Sequence, residues 1–287
     1  MKILLLGHKG MLGSDLLTQM RLHHEVVGMD QDEIDITSAA DCVKAIEDTA
    51  PQIVINAAAY TNVDGCETAK EECFAVNAEA IKNIATACRS KNIRIIHFST
   101  DYVFNGCASS PYKEDENCDP INIYGASKLA GEQYLQALAQ NYIIIRTAWL
   151  YGANGKNFVR TILEKAKTTP KLTVVDDQIG SPTHTKDLAA AVDLLIEKNA
   201  QGIFHVTNRG SCSWYQFAVK ILQEAGIDDV EVTPIKSDQL VRAAKRPANS
   251  VMSMQKFIAT TGKAMQPWQL ALKDYLESIK TRLHTLT

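Results

Sequence analysis

Five short, mostly apolar runs alternate with longer segments that carry a helical repeat. The apolar runs cover residues 3–6, 25–29, 53–55, 94–98 and 142–146. Their nearly continuous apolar character is typical of parallel strands that are covered on both faces. The helical segments lie near residues 11–21, 38–49, 67–90 and 124–140. This alternation predicts an α/β fold, a Rossmann-like doubly wound parallel sheet with a smaller C-terminal lobe that binds substrate.

The pattern loosens after Trp149. It predicts, in order, a helix over 154–168, a strand over 172–175, a helix over about 184–198 and a strand over 202–206. We expect residues 1–152 to form the sheet domain, with residues 171–206 returning to the sheet. Residues 153–170 and 207–287 are expected to form the smaller lobe over the strand ends.

Composition narrows the class of protein. The chain has 287 residues, of which 46% are hydrophobic and 22% charged, and a net charge of −3 without a basic stripe. These values predict a globular protein that does not bind nucleic acid. The apolar N-terminal run is too short for a signal peptide or membrane span, so we expect a cytoplasmic protein with no membrane contact. Seven scattered cysteines without a Cys-x-x-Cys pair indicate reduced thiols, and no metal-ligand set is evident.

A glycine-rich turn follows the first strand and opens the first helix. Its glycines are Gly7, Gly10 and Gly13, with one residue more than the G-x-G-x-x-G spacing. Glycines permit the tight turn and let backbone N–H groups approach a pyrophosphate at the helix N-terminus. We interpret the segment as a nucleotide-binding turn rather than a plain structural turn.

An acidic residue ends the second strand. Asp30 lies about twenty residues past the glycine turn, where a carboxylate can bind ribose hydroxyls. That position favours NAD over NADP, whereas Lys9 partly offsets the negative charge. An ordinary loop carboxylate is an equal interpretation, because Asp32 and Glu33 lie close by. The cofactor preference therefore stays open.

Two further segments are candidates for lining a cofactor. Asp35 and Ile36 precede the second helix and either contact adenine or simply begin the helix. Asn56-Ala-Ala-Ala-Tyr60-Thr61 follows the third strand, and its small residues let a cofactor lie against the chain. A tight contact between helix and strand explains these alanines equally well.

Thr100 lies in Ser-Thr-Asp at the end of the fourth strand. Ligands of open α/β sheets bind beyond the carboxyl ends of the strands, near the switch point. We expect strands one and four to flank that crevice, and Thr100 to hydrogen-bond a substrate carbonyl oxygen. Capping of a turn is the alternative role of this threonine.

Tyr124 and Lys128 lie four residues apart in Tyr-Gly-Ala-Ser-Lys, about one helical turn, so they share one helix face. A free phenol holds its proton until about pH 10. A neighbouring ammonium favours the phenolate and brings proton transfer closer to neutral pH. The pair alone is common by chance, but with Thr100 and the glycine turn it predicts a dehydrogenase that moves hydride and proton together.

Taken together, these motifs resemble the extended short-chain dehydrogenase/reductases and, more narrowly, the dTDP-4-dehydrorhamnose reductase family. The resemblance covers nearly the whole chain. Its narrowest markers are the stretch Thr-Asp-Tyr-Val-Phe from Thr100 and the stretch Asp-Gln-Ile-Gly-Ser-Pro-Thr from Asp177. Further matches are Arg146-Thr-Ala-Trp149, Arg246-Pro-Ala-Asn-Ser250 and Trp268.

The resemblance implies cofactor-binding roles along the first half of the chain. The pyrophosphate is expected to be bound by Gly10, Met11 and Leu12, within the turn from Gly7 to Gly13. The adenosine end is expected to be contacted by Asp30, Asp35 and Ile36. Ala59, Tyr60 and Thr61 line the cofactor, and Phe98 lies near it. The cofactor is NADPH or NADH, with Tyr124 as proton donor and Lys128 binding the nicotinamide ribose and lowering the pKa of Tyr124.

The resemblance also implies a substrate site. Thr100 and Asp101 contact the sugar, and Trp149 shapes its pocket. Arg246 and Asn249 are candidates for the nucleotide diphosphate, because a planar guanidinium suits phosphate oxygens; a surface salt bridge is an equal interpretation of Arg246. Mg²⁺ is associated with some members, although no metal-ligand motif supports it here. A homodimer is a further expectation.

The implied reaction reduces the C4 ketone of dTDP-4-dehydro-6-deoxy-L-mannose to dTDP-L-rhamnose. A dehydratase is disfavoured, since Tyr102 stands where dehydratases carry a glutamate, and the stretch from Asp177 points away from an epimerase. A non-catalytic nucleotide-binding regulatory subunit is the alternative of a different class, because the methionine adenosyltransferase β subunit resembles the same family. A Rossmann reductase of another carbonyl compound is a third interpretation.

Overall fold

The helices and strands follow the predicted alternation. A computed structural model of the chain describes residues 1–284, and side chains as far as residue 280. The strands are β1 (Lys2–Leu6), β2 (Glu25–Met29), β3 (Ile53–Asn56), β4 (Arg94–Thr100), β5 (Tyr142–Thr147), β6 (Leu150–Tyr151), β7 (Lys171–Val175), β8 (Ile179–Gly180), β9 (Thr183–His184), β10 (Gly202–His205), β11 (Cys212–Ser213) and β12 (Glu231–Ile235).

The helices cover both faces of the sheet and much of the C-terminal part. The α-helices are α1 (Met11–Met20), α2 (Ala39–Thr49), α3 (Val63–Thr68), α4 (Lys70–Phe74), α5 (Ala80–Arg89), α6 (Ile123–Leu138), α7 (Phe158–Ala166), α8 (Thr185–Glu197), α9 (Trp214–Ala225), α10 (Gln255–Thr261) and α11 (Trp268–His284). A π-helical turn, Ala75–Glu79, joins α4 to α5. Short 3₁₀ helices cover Asp101–Val103 and Ser237–Gln239.

Six parallel strands form the central sheet in the order β10-β5-β4-β3-β1-β2. Ile3 and Leu5 of β1 pack into one hydrophobic layer with residues of α1 and α8. Leu4 and Leu6 pack into a second layer, on the opposite face, with residues of α2 and α5. Because both faces are buried, the strands are apolar at nearly every position. The predicted Rossmann-like, doubly wound sheet is confirmed.

The winding direction of the chain reverses at β1. This strand lies between β2 and β3, so the crevice at the switch point opens between the carboxyl ends of β1 and β3. The prediction that strands one and four flank the crevice is wrong, because β3 lies between them. Thr100 still reaches the crevice side of the sheet, since β4 pairs with the end of β3 at His97 and continues for three more residues.

The predicted return of residues 171–206 to the sheet is wrong for β7. Only β10 joins the central sheet, beside β5, whereas β7 pairs in parallel with β12. Lys171 and Thr173 are exposed while Leu172 and Val174 are buried. This alternation suits a strand that is covered on one face, in this case by α7 and α9, rather than a strand inside a doubly covered sheet.

We call the assembly of β7, β12, α7, α9 and α11 the lobe. Its core is rich in aromatic side chains, among them Tyr151, Phe217, Trp268 and Tyr275. Residues 285–287 of the predicted lobe lie outside the described residues. Among the helices of the described part, none is long and apolar enough to cross a membrane.

Candidate functional site

The turn after β1 requires glycine at two positions. Gly7 has a φ of +79°, and a Cβ there would lie 2.7 Å from the backbone nitrogen of Ala58. A Cβ on Gly13 would collide with the carbonyl oxygen of Gly7. Helix α1 therefore packs directly on the turn, which brings its N-terminus to the crevice between β1 and β3.

The first turn of α1 offers free backbone donors. Gly10 caps the helix without a side-chain acceptor, and no acidic residue lies in the first turn. The N–H groups of Met11, Leu12 and Gly13 find no acceptor among the described residues, and the first backbone bond runs from Ser14 to Gly10 at 3.0 Å. Free N–H groups at the positive end of a helix dipole fit a pyrophosphate.

A cavity of about 530 Å³ lies beside this turn. Its lining includes six residues that the sequence predicted at the cofactor: Gly7, Gly10, Asp30, Asp35, Ile36 and Ala59. The cavity joins the carboxyl ends of β1, β2 and β3, where an adenosine group would lie next to the pyrophosphate position. The residues of this part of the crevice therefore fit a dinucleotide.

The acidic residues after β2 are held by short contacts. The carboxylate of Asp30 accepts from the backbone nitrogens of Lys9 at 2.8 Å and Gln31 at 2.9 Å. The ammonium of Lys9 instead pairs with Asp32 at 2.6 Å, on the exposed rim. Lys9 therefore balances Asp32 directly, and Asp30 presents a carboxylate whose two oxygens are already bonded to the backbone.

A buried asparagine supports the loop after β3. The Oδ1 of Asn77 accepts from the backbone nitrogen of Tyr60 at 2.9 Å, and its Nδ2 donates to the carbonyl oxygen of Tyr60 at 3.0 Å. The same Nδ2 donates to the hydroxyl of Ser127 at 3.0 Å. Asn77 lies in the π-helical turn, a feature that is frequent at functional sites. It ties the loop of Tyr60 to helix α6.

Helix α6 begins at the reactive pair. Asn122 caps it by accepting from the backbone nitrogen of Gly125 at 2.7 Å, so Tyr124 lies in the first turn. A Cβ on Gly125 would collide with the carbonyl oxygen of Tyr102. This close approach places the start of α6 directly against the segment that follows Thr100.

Thr100 and Asp101 form a buried pair beside Tyr124. The hydroxyl of Thr100 donates to Asp101 at 2.9 Å and accepts from the backbone nitrogen of Tyr102 at 3.1 Å. Burial raises the pKa of Asp101 to about 6, against the opposing effect of its hydrogen bonds. The ring of Tyr102 meets that of Tyr124 edge to face at 5.9 Å.

Tyr124 does not titrate in the expected direction. Burial, followed by the charge of Asp101, raises the pKa of its phenol, and hydrogen bonding to Thr100 opposes this. The pKa of the phenol is therefore raised overall, and a lowering contribution from Lys128 stays a prediction. A phenol with a raised pKa stays protonated at neutral pH, which is the form that a proton donor requires.

Lys128 is buried below Tyr124 on the same face of α6. Only 2% of its surface is exposed, and burial lowers its pKa to about 8. Its Nζ lies 3.4 Å from Nε2 of His97, a residue of β4 that is also buried. Burial and the Lys128 charge lower the pKa of His97 well below its usual range, so the imidazole is neutral.

A second cavity, of about 740 Å³, opens between the lobe and the segment after Thr100. Its lining includes four cations, Lys165, Lys171, Arg242 and Arg246, together with the rings of Trp214 and Tyr102. Because Tyr102 also touches Tyr124, this cavity borders the reactive pair. Its cationic lining suits an anionic ligand.

Trp149 is half-buried beside this cavity. Its ring stacks on Trp214 with centroids 3.5 Å apart and planes 6° from parallel. Its φ of +49° is uncommon for a bulky residue, and such strain is often found at functional sites. The structure thus brings Trp149 to the edge of the candidate substrate pocket through the lining residue Trp214.

Arg246 and Asn249 are engaged within the protein. The guanidinium of Arg246 makes two contacts of 2.6 Å with Asp64, which hold the pKa of that carboxyl at about 2. The amide of Asn249 donates to the carbonyl oxygen of Ala108 and accepts from the backbone nitrogen of Val251. Arg246 still lines the second cavity. Both ends of the Asn249 amide are hydrogen-bonded to the backbone, which favours a structural role for Asn249 over substrate binding.

Sequence analysis missed several residues of the crevice. His97 was recognisable as an ionisable side chain inside the apolar run 94–98, which begins with Arg94. Asn77, Lys165 and Arg242 carry no local signal, because only the fold brings them to the two cavities. Phe98, a predicted cofactor neighbour, is buried in the sheet core, and Thr61 is exposed. No cluster of three or more potential metal ligands occurs among the described residues.

Comparison with known proteins extends the similarity over the whole chain. A family model described as "RmlD substrate binding domain" matches residues 1–281. The spore coat polysaccharide biosynthesis protein SpsK of Bacillus subtilis (strain 168) is 40% identical over 279 residues, which cover 96% of this chain and 97% of that protein.

Two solved structures are similar in both fold and sequence. A dTDP-4-dehydrorhamnose reductase of Clostridium acetobutylicum superposes with a TM-score of 0.95 and 42% identity, over 98% of this chain and 100% of that one. A dTDP-4-dehydrorhamnose reductase of Bacillus anthracis, solved in complex with NADP, gives a TM-score of 0.94 and 36% identity, over 96% and 99%. Because the coverage is nearly complete, the likeness includes the lobe as well as the sheet.

Proposed function

We propose a reductase function for this chain, which belongs to the dTDP-4-dehydrorhamnose reductase family. The chain reduces the C4 ketone of dTDP-4-dehydro-6-deoxy-L-mannose to dTDP-L-rhamnose with NADPH or NADH. The observation that carries the proposal is the buried group of Thr100, Tyr124 and Lys128, which borders the cationic cavity through the contact of Tyr102 with Tyr124. The nucleotide-sugar substrate and the dinucleotide then meet at the phenol.

A bound NADPH or NADH supplies the hydride that adds to the ketone carbon. Tyr124 gives its phenolic proton to the ketone oxygen as negative charge develops there. The buried phenol is protonated at neutral pH, so it is ready as an acid. Thr100 turns its hydroxyl from Asp101 to the same oxygen and thereby orients the ketone.

The cationic cavity is the proposed site of the dTDP group. A diphosphate carries negative charge, which Lys165 and Arg242 of the cavity lining can meet. The ring of Trp214 offers an aromatic face for a pyrimidine base. Contacts to this remote part of the substrate help to orient the ketone at Tyr124.

The dinucleotide preference depends on the rim after β2. Asp30, Asp32 and Glu33 oppose a 2′-phosphate, and Lys9 is the cation that offsets them. The relative from Bacillus anthracis was solved with NADP, so the proposal covers both dinucleotides. Comparing kcat/KM for NADPH and NADH in the wild type and in Lys9→Ala measures the contribution of this cation.

The test is reduction of a panel of dTDP-, UDP- and GDP-ketosugars with each dinucleotide. We expect turnover with the dTDP substrate and a loss of about 10²- to 10⁴-fold in kcat for Tyr124→Phe. Tyr134→Phe is the matched control, because that phenol lies on the outer face of α6 and donates to Glu79 at 2.7 Å. It should leave kcat unchanged.

Dinucleotide binding without turnover of any ketosugar would contradict the reductase and favour a regulatory subunit. Turnover of only a UDP- or GDP-ketosugar would instead assign the chain to another nucleotide sugar. A homodimer, a cytoplasmic location and a role for Mg²⁺ stay predictions, which light scattering, cell fractionation and chelation assays would test.

A further inference from the structure

His97 lies in strand β4 directly beneath Lys128. Its side chain is 1% exposed. Among the described residues, its Nε2 is the only polar atom within hydrogen-bonding distance of the Lys128 Nζ, at 3.4 Å. Its other ring nitrogen, Nδ1, lies 3.3 Å from Nδ2 of Asn56, the residue paired with it on β3. Both ring nitrogens therefore have one polar neighbour each.

A backbone group determines the direction of these hydrogen bonds. The N–H of Ala58 can only donate, and it lies 3.2 Å from Oδ1 of Asn56. The amide oxygen therefore faces Ala58, and the amide nitrogen faces His97. Because an amide nitrogen can only donate, Nδ1 of His97 accepts and carries no proton. The neutral ring must then hold its single proton on Nε2.

The Nε2–H group consequently points at the Nζ of Lys128. An ammonium has no lone pair with which to accept this hydrogen bond, whereas a neutral amine has one. The contact thus favours the amine, in the same direction as the burial of Lys128.

Among the other groups around Lys128, the charge of Glu132 raises the pKa of the ammonium and partly opposes burial. On its own helix, Tyr124 is a protonated phenol, and the carboxylate of Glu132 is paired with Arg146 of β5 at 2.8 Å. From α4, the thiol of Cys73 is bonded to the hydroxyl of Ser127 at 3.2 Å, and its charge would also favour the ammonium. His97 is therefore the neighbour whose orientation can change the balance between amine and ammonium.

We propose that His97 is a positioning residue, oriented by Asn56, that favours the amine form of Lys128 until a bound dinucleotide supplies ribose oxygens as acceptors. This inference rests on the proposed function, since it places the nicotinamide ribose at Lys128. Binding then adds one proton from solvent to the amine nitrogen, which forms one N–H bond, and no other covalent bond changes. Release of the dinucleotide returns that proton.

The first test is the tautomer of His97 in the protein without ligand, measured by ¹⁵N chemical shifts and assigned with His97→Gln. We expect the proton on Nε2 in the wild type. In Asn56→Asp, two carboxylate oxygens accept from both Ala58 and the ring, so the proton should move to Nδ1. A proton on Nδ1 in the wild type, or no change in Asn56→Asp, would overturn the proposal.

The second test is proton uptake on NADPH binding, from calorimetry at pH 8.5 in buffers of different ionisation enthalpy. With a Lys128 pKa of about 8, the wild type should take up about three-quarters of a proton per site. Asn56→Asp moves the ring proton to Nδ1 and turns the Nε2 lone pair toward Lys128, so Lys128 stays charged and uptake should fall several-fold. Gln133→Glu, on the exposed face of α6, is the control for added charge.

Unchanged uptake in Asn56→Asp would refute the role of His97, even in an enzyme that turns over normally. A simple structural role would lower stability in this variant without moving uptake in this direction. Conversely, a wild type that binds NADPH with the expected tautomer and uptake but reduces no ketosugar would refute the proposed function and leave this inference standing.

Discussion

Tyr124 keeps its proton because burial of the phenol and the nearby carboxylate of Asp101 both raise its pKa. The same burial lowers the pKa of Lys128 and raises that of Asp101 to about 6. Three groups within one small volume are thus each shifted toward their uncharged form. A site of this kind suits a reaction in which negative charge appears only as the substrate is reduced.

The ion pair of Arg246 with Asp64 gives a prediction about pH. Asp64 has a pKa of about 2, below the usual value near 3.9, so its contribution to stability is complete above about pH 5. This contribution is lost as the pH falls through about 2. The Tm of the wild type should therefore exceed that of Asp64→Asn by a constant amount above pH 5, and the difference should narrow as acid is added.

Measuring Tm of both proteins between pH 7 and pH 3 provides the check. Asp229→Asn is the control, because Asp229 is exposed and has no ion pair among the described residues. A difference for Asp64→Asn that stays flat down to pH 3 would show that the pair with Arg246 does not depress this carboxyl.

At the scale of the elements, the start of α6 decides where the phenol lies. The Asn122 side chain holds the first turn through Gly125 and also donates to the carbonyl oxygen of Lys245 at 2.8 Å, in the segment that leads to Arg246. One side chain thus connects the reactive helix to a segment that lines the substrate cavity.

Asn122→Ala should cost about 1 kcal/mol of unfolding free energy, since it removes a helix cap. It should also lower kcat by about tenfold, because the turn that carries Tyr124 loses its anchor. Ser38→Ala is the matched control: Ser38 caps α2 by accepting from Asp41 at 3.2 Å, on an exposed helix start. Denaturant unfolding should show a similar loss for both variants, and only Asn122→Ala should lose activity.

A kcat of Asn122→Ala equal to that of the wild type, with the stability loss present, would mean that packing alone positions Tyr124. A fall in kcat for Ser38→Ala would show instead that activity follows overall stability.

At the scale of the whole molecule, the crevice and the cationic cavity are built from distant parts of the chain. The dinucleotide side uses the ends of β1, β2 and β3, whereas the other cavity uses α7, β7 and the segment near Arg242. Tyr102 lies between them, in contact with Tyr124. Substrate and cofactor should therefore bind to separable surfaces.

Arg242→Ala tests this separation. It should raise KM for the dTDP-ketosugar by about tenfold or more, since a charge-assisted contact to the diphosphate is lost. KM for NADPH should not change. Lys167→Ala removes an exposed cation of the same region that does not line the cavity, and it should leave both values unchanged. Steady-state kinetics at two salt concentrations measures the effect. An equal rise in KM for both variants would mean that the positive charge of the whole region attracts the substrate, without a direct contact from Arg242.

How much the sequence could predict depends on the range of the contacts involved. The run 3–6 and the glycines of the first turn report local requirements, so β1, its turn and α1 were predicted closely. The strand over 172–175 was also recognised, but not its partner, because pairing of β7 with β12 joins residues about sixty positions apart. Local apolar pattern indicates that a strand forms, and not which sheet it joins.

The sequence by itself determined the parallel sheet, the glycine turn, the spacing of Tyr124 and Lys128 on one helix face, and the family, because each is written in neighbouring residues. Only the tertiary structure decided the charge states of the crevice and the identity of its other members. The pKa of Tyr124, the donor direction of His97 and the cationic cavity all depend on burial and on contacts between distant segments. Those quantities exist only once the chain has folded and excluded water.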